Sequence, residues 1–137
     1  MSLPKLWEKS YNRINLIFTG IVLSIFIYSG IFSPGKDNYP VQCIHEKMTG
    51  KPCPTCGLSH SFSAILHGDL KLANQWNING IPLFLFFFIQ LFMRLGFILL
   101  VQKSSIPLKY LIFSDIAISV ILFIFCFRRL LVFWSYY

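Results

Sequence analysis

The chain has 137 residues, of which 55% are hydrophobic, 18% aromatic and only 12% charged, with a formal net charge of +7. Soluble globular chains carry about 25% charged residues, so an ordinary soluble domain is excluded. The positive excess sits in the connections and at the ends of apolar blocks, which suits anionic lipid headgroups, whereas nucleic acid is excluded by the lack of a basic helix face or any of the usual motifs.

The first apolar block, Ile14 to Ser33, contains no charge and follows Lys5, Lys9 and Arg13. A lipid-crossing helix needs about 18 or more such residues, so the block predicts a span entered from a basic side and ending at Ser33-Pro34-Gly35. A basic start followed by an apolar run also marks a secretion signal, but this run exceeds the roughly 7–15 residues of a signal core. A retained span is expected.

From residue 34 to 77 the chain turns polar and holds Cys43, Cys53 and Cys56, all three histidines, and Asp37, Glu46 and Asp69. Chemistry, if the chain performs any, belongs here. Leu58, Phe62, Ile65 and Leu66 recur at helical spacing, Gly68 suits a C-terminal stop, and Asp69 suits the N-cap of a short helix from Leu70 to Trp76. Such a pair lies on the membrane or tucks between spans.

The second block runs from about Ile78 to Val101, with Pro82 tolerated in its first turns. Lys103-Ser104-Ser105-Ile106-Pro107 leaves room only for an antiparallel hairpin. The third block then runs from Leu108 to about Phe127, closed by Arg128 and Arg129, with Trp134, Tyr136 and Tyr137 suited to the interface. The expected fold is a single all-α membrane domain over 1–137. It has three transmembrane helices (14–33, 78–101, 108–127) and one or two short interfacial or re-entrant helices carrying a cysteine-rich knuckle within 34–77.

Two charges interrupt the later spans. Arg94 precedes Gln102 by as many residues as separate Pro107 from Asp115, so at about 1.5 Å per residue both lie roughly 12 Å from the hairpin tip on adjacent antiparallel helices. They can pair, and Gln90 and Ser119, one turn deeper on the same faces, extend the match into a polar seam. Each charge alone would cost several kcal/mol in lipid, and pairing offsets much of that. A structural clamp is the plain expectation. A proton or ion pathway through an oligomer is the alternative.

Cys53-x-x-Cys56 followed by Gly57 is a tight thiol pair open to three mechanisms. It can form a zinc knuckle with Cys43 as third ligand and His60, or else His45 or His67, as fourth. It can act as a redox pair, with Cys53 activated near a helix N-terminus and His60 one turn beyond Cys56. It can also contribute to a structural disulfide joining Cys43 to Cys53 or Cys56, expected on an oxidising side. Cys56, His60, Ser63 and His67 share one stripe opposite the apolar one. Cys126, between Phe125 and Phe127, reads as a buried small hydrophobe.

The run from Thr49 through Pro52-Cys53-Pro54-Thr55-Cys56-Gly57-Leu58 to His60, with Cys43 before it and Gly68-Asp69 and Asn77 after it, resembles a bacterial membrane-protein family of unknown function. That family has short members with two to four spans and the signature T-G-x-P-C-P-x-C-G-[LM]-T-R. The resemblance covers about Cys43 to Pro82. This chain departs from the signature at Ser59-His60, where the family has Thr-Arg, and at Asn77-Ile78, where it has Asn-Pro. The first change replaces a permanent charge with a titratable imidazole able to act as a ligand. The resemblance implies a multi-pass protein of the bacterial inner membrane and supports the architecture, not a reaction.

Orientation is finely balanced. Lys5, Lys9, Arg13, Lys103 and Lys109 lie on one side, against Lys36, Lys47, Lys51, Lys71, Arg128 and Arg129 on the other. The first span often dominates, which favours a cytoplasmic N-terminus and an external cysteine segment. The expected function is a non-enzymatic membrane component whose knuckle, held by zinc or a disulfide, fixes a surface for another membrane protein or a second copy. The rivals are a thiol–disulfide oxidoreductase using Cys53, Cys56 and Cys43, and an oligomeric transporter or channel component using Arg94 and Asp115.

Overall fold

A computed structural model describes residues 3–31, 56–103 and 105–135, which form five helices and, among those residues, no strand. They are α1 (Leu3–Ile31), α2 (Leu58–Leu66), α3 (Leu70–Trp76), α4 (Gly80–Lys103) and α5 (Leu108–Ser135). Three of them contain stretches long and apolar enough to cross a membrane, Ser10–Ile31, Gly80–Lys103 and Leu108–Val132. The chain is thus a small all-helical, multi-pass membrane protein.

These boundaries differ from those expected. The first span starts four residues earlier than Ile14, because no helix breaker separates the basic turn from the apolar run. Its expected end at Ser33 lies outside the described residues. The second span starts at Gly80 rather than Ile78, because Asn77 and Asn79 are used to build a turn ahead of it. The third continues beyond Phe127 through Arg128 and Arg129, whose long side chains can reach the headgroups without ending the helix.

Helix α4 is the hub. It packs against every other helix, while α1 also receives α2, and α2 packs on α3. Asn15 meets Arg94 near one end of the α1–α4 contact and Phe26 meets Phe84 near the other, so these two helices run antiparallel. Helices α4 and α5 do the same, with Arg94 on Asp115 and Phe86 on Phe123. The buried residues Asn15, Thr19, Val22 and Ser29 of α1 follow helical periodicity and form its inward stripe. Most other span residues are outward-facing and apolar, such as Ile17, Ile21, Phe113 and Ile121, which in lipid is a solvated state and no penalty.

The α2–α3 pair is built from local signals. Gly68, at φ 84°, ends α2; its N–H reaches Ile65 O at 3.0 Å and the Asp69 N–H reaches Ala64 O at 2.9 Å. This is the double closure of a glycine-terminated helix. Asp69 then caps α3 by accepting from the Leu72 N–H at 2.9 Å. Both signals lie where the sequence placed them.

The packing face of α2 differs from the expected one. Its buried residues are Ser61, Phe62, Ser63 and Ala64, while Leu66 is exposed. The serine side turns inward because Gly80 at the start of α4 comes up against Ser61. A Cβ on Gly80 would lie 2.6 Å from Ser61 Cβ and nearer still to Ser61 Oγ. The Ser61 hydroxyl loses no partner by burial, since it donates to Ala73 O at 2.9 Å.

Candidate functional site

Two constellations stand out, one at lipid depth and one where the cysteine segment meets the bundle. The first centres on Arg94. Its Nη1 donates to Asp115 Oδ2 at 2.6 Å and to Asn15 Oδ1 at 2.8 Å; its Nη2 donates to Ser119 Oγ at 2.8 Å and Gln90 Oε1 at 3.0 Å. Nε also faces Gln90 Oε1, at 3.3 Å. A guanidinium has five N–H groups, and every one of them has an acceptor here. The acceptors come from all three spans.

Asp115 is only 2% exposed. Its Oδ2 accepts a second hydrogen bond, from the Tyr11 hydroxyl at 2.6 Å. Ser119 Oγ lies 3.5 Å from Oδ1, too long for a strong O–H···O bond. The carboxylate therefore joins α5 to α4 through Arg94 and to α1 through Tyr11, with one oxygen carrying nearly all of the load.

The arrangement has a cost. Asn15 and Gln90 turn their carbonyl oxygens toward the guanidinium, and their amide nitrogens, with Asn12 Oδ1, are buried with no hydrogen-bond partner among the described residues. Each such group is unfavourable by about 1–3 kcal/mol. A bundle that accepts this is one in which neutralising Arg94 dominates.

The hairpin spacing in the sequence brings together Arg94, Asp115, Gln90 and Ser119, and the structure places the four in one cluster. The spacing alone misses Tyr11 and Asn15. The signal was present: Asn12, Asn15 and Thr19 are polar residues at helical spacing inside or beside an apolar block, and such residues turn toward other helices. Thr19 itself bonds back to Asn15 O at 2.8 Å.

The second constellation is the elbow between α3 and α4. Asn77 Nδ2 donates to Cys56 O at 2.8 Å, and Asn77 Oδ1 accepts from the Asn79 N–H at 2.8 Å. One side chain thus ties the cysteine turn to the entry of α4. Gly57 is the N-cap of α2 at φ 78°, and a Cβ there would lie 2.6 Å from Trp76 O. Only glycine combines that backbone geometry with so close an approach. The His60 ring stacks on Trp76 at 4.2 Å with an 18° interplanar angle.

Cys56 is half-buried and disulfide-bonded. It precedes the Gly57 cap rather than lying within α2, so the stripe through Cys56, His60, Ser63 and His67 is a helix face only from His60 onward. Ser63 on that stripe is fully buried, and its carbonyl lies 2.7 Å from His67 Nδ1. Cys43, His45 and Cys53 lie outside the described residues. Among the described residues, no three His, Cys, Asp or Glu side chains converge as a metal site would require. Cys126, on α5, is buried and free.

The family model described as "Protein of unknown function (DUF2752)" matches residues 43–91. The match takes in the cysteine segment, α2, α3 and the first half of α4, and stops before Arg94. The elbow thus lies inside the matched stretch, and most of the lipid-depth cluster lies outside it. No curated protein and no solved structure matches the chain.

Proposed function

We propose that this chain is a non-enzymatic component of a membrane complex, a three-span bundle fastened by Arg94 that holds the α2–α3 pair and the cysteine turn ahead of it in place as a surface for a partner membrane protein or a second copy. The observation that carries it is the saturation of the Arg94 guanidinium by Asn15, Gln90, Asp115 and Ser119. A residue that transports or binds must exchange partners, and this one has no N–H left over. Its location is the bacterial inner membrane, as the resemblance of the cysteine run implies.

Extraction in mild detergent with crosslinking tests the reading. Recovery in an assembly larger than a monomer, whether with a second copy or with another membrane protein, is expected. Recovery as lone monomers at native expression overturns it. Ion flux through the chain in liposomes that disappears with Asp115→Asn would instead support the transport reading.

The knuckle has two readings that the same preparation separates. The disulfide at Cys56 supports a covalent crosslink, since a sulfur in a disulfide is not a thiolate ligand. Zinc held by Cys43, Cys53, Cys56 and His60 requires reduced cysteines and predicts about one metal ion per chain. An oxidoreductase using Cys53 as attacking thiolate, Cys56 as resolving thiol and Cys43 as shuttle predicts a mixed disulfide trapped in cells by Cys56→Ser.

A further inference from the structure

Helix α2 lies at the edge of the bilayer, and the contacts of its two ends fix that level. Phe26 of α1 faces Phe84 of α4. Gly30 is four residues on from Phe26 and Gly80 four residues back from Phe84, so in antiparallel helices both glycines lie about 6 Å beyond the aromatic pair. A Cβ on Gly30 would meet Leu66 Cδ1 at 3.8 Å, and Gly80 abuts Ser61. Both ends of α2 are therefore at one level, and the helix crosses from α4 to α1 instead of running along either. Phe62 reaches from it into the bundle, against Phe84 and Phe87. Gly80 opens a span of 24 residues, about 36 Å of helix against a hydrocarbon core of about 30 Å. The level of Gly80 is thus the boundary between acyl chains and headgroups.

Helix α3, which packs on α2 and α4, is amphipathic. Leu72, Trp76, Ala73 and Leu70 follow one another around an apolar arc, and Asn74, Lys71 and Gln75 fill the remainder. Ala73, near the middle of the apolar arc, is fully buried, whereas Leu70 and Trp76 on its two sides are exposed. Leu66 at the end of α2 and Ile78 ahead of α4 are exposed as well. Packing within the chain therefore leaves an apolar flank along the pair. Through the contact of Leu66 with Gly30, that flank continues the outward surface of α1, where Ile27 and Ile31 are exposed.

We propose that the α2–α3 pair is seated in one leaflet of the bilayer, with Leu66, Leu70, Trp76 and Ile78 in the upper acyl-chain region and Lys71, Asn74 and Gln75 in the headgroup layer. Lipid is the occupant of the flank because the flank is continuous with the lipid-facing side of α1 and lies at the depth where acyl chains begin. An indole suits that boundary, and a lysine there meets lipid phosphate. The Cys56-Gly57 turn is tied to Asn77 and Trp76, so it too is held at headgroup level, and whatever meets it does so at the membrane surface. The seat does not depend on which partner that is.

Quenching of a single tryptophan in full-length protein, reconstituted in liposomes of phosphatidylcholine and phosphatidylglycerol, tests the seat. In a chain carrying Trp7→Phe, Trp76→Phe and Trp134→Phe, the probe is introduced by Leu70→Trp or by Gln75→Trp. Both positions are exposed, so neither probe requires repacking. Lipid brominated high on its acyl chains should quench Leu70→Trp several-fold more than Gln75→Trp, and acrylamide in the water should give the reverse order. Bromines at mid-chain should quench Leu70→Trp less than bromines near the headgroup. Equal acrylamide quenching at the two positions would place the pair in water and overturn the seat. Leu70→Trp shielded from both quenchers would mean that protein covers the flank, which overturns it as well.

Discussion

Replacing the two members of the buried ion pair, singly and together, tests whether Arg94 is a fastener. Asp115→Leu leaves the guanidinium with Asn15, Gln90 and Ser119 but with no counter-charge, at a depth of about 14 Å from the end of α4. Removing one partner of a buried pair costs about 3–5 kcal/mol. Arg94→Leu should cost a similar amount, because Asp115 is then left with the Tyr11 hydroxyl as its only close donor. The double variant removes both charges and leaves only neutral groups without these partners, the Asn15 and Gln90 carbonyls and the Tyr11 and Ser119 hydroxyls. Its loss should therefore be no larger than that of either single change.

The interaction term of this cycle is then about 3 kcal/mol, or more than a hundredfold in the folding equilibrium. Unfolding by added dodecyl sulfate in mixed micelles, followed by circular dichroism, measures each corner. Additive losses, or single variants within about 0.5 kcal/mol of the parent, would refute the fastener and with it the main support for a structural role.

Tyr11→Phe keeps the ring and removes the donor to Asp115 Oδ2, and hydrogen bonds to charged groups contribute about 1.5–3 kcal/mol; the same titration should show a loss in that range, nearly abolished in an Asp115→Leu background. Gly80→Ala puts a methyl into Ser61 and should destabilise by about 1–3 kcal/mol, with Ser61→Gly in the same chain restoring part of the loss because the obstructing atoms are then gone. Asp69→Ala removes the cap on Leu72 and should cost about 1 kcal/mol, seen as faster amide exchange in α3 with no change around Arg94.

The spans, the hairpin and the α2–α3 boundary were legible because each rests on a local rule. Apolar length identifies a lipid-crossing helix; Gly68 and Asp69 mark a stop and a start through their own backbone and side-chain chemistry; Arg94 and Asp115 align because a short hairpin imposes one register on two antiparallel helices. The face of α2 was not legible. Ser63 read as part of the polar stripe opposite the apolar one, yet it is fully buried, as is Ser61. A lipid-adjacent interior selects for small size as much as for apolarity, and a serine that finds a carbonyl packs more closely than a leucine.

What the amino-acid order determined by itself is the set of helices and the depth at which charge must be neutralised, since these depend on composition and on rise per residue. Which groups neutralise it was a tertiary matter. Asn15 and Tyr11 lie some eighty and one hundred positions from their partners, and only the docking of α1 on α4 brings them within reach. The same holds for the elbow. Asn77 and Cys56 are separated by α2 and α3 in the chain, and they meet because a glycine at position 57 and another at position 80 allow backbones to approach where any side chain would hold them apart.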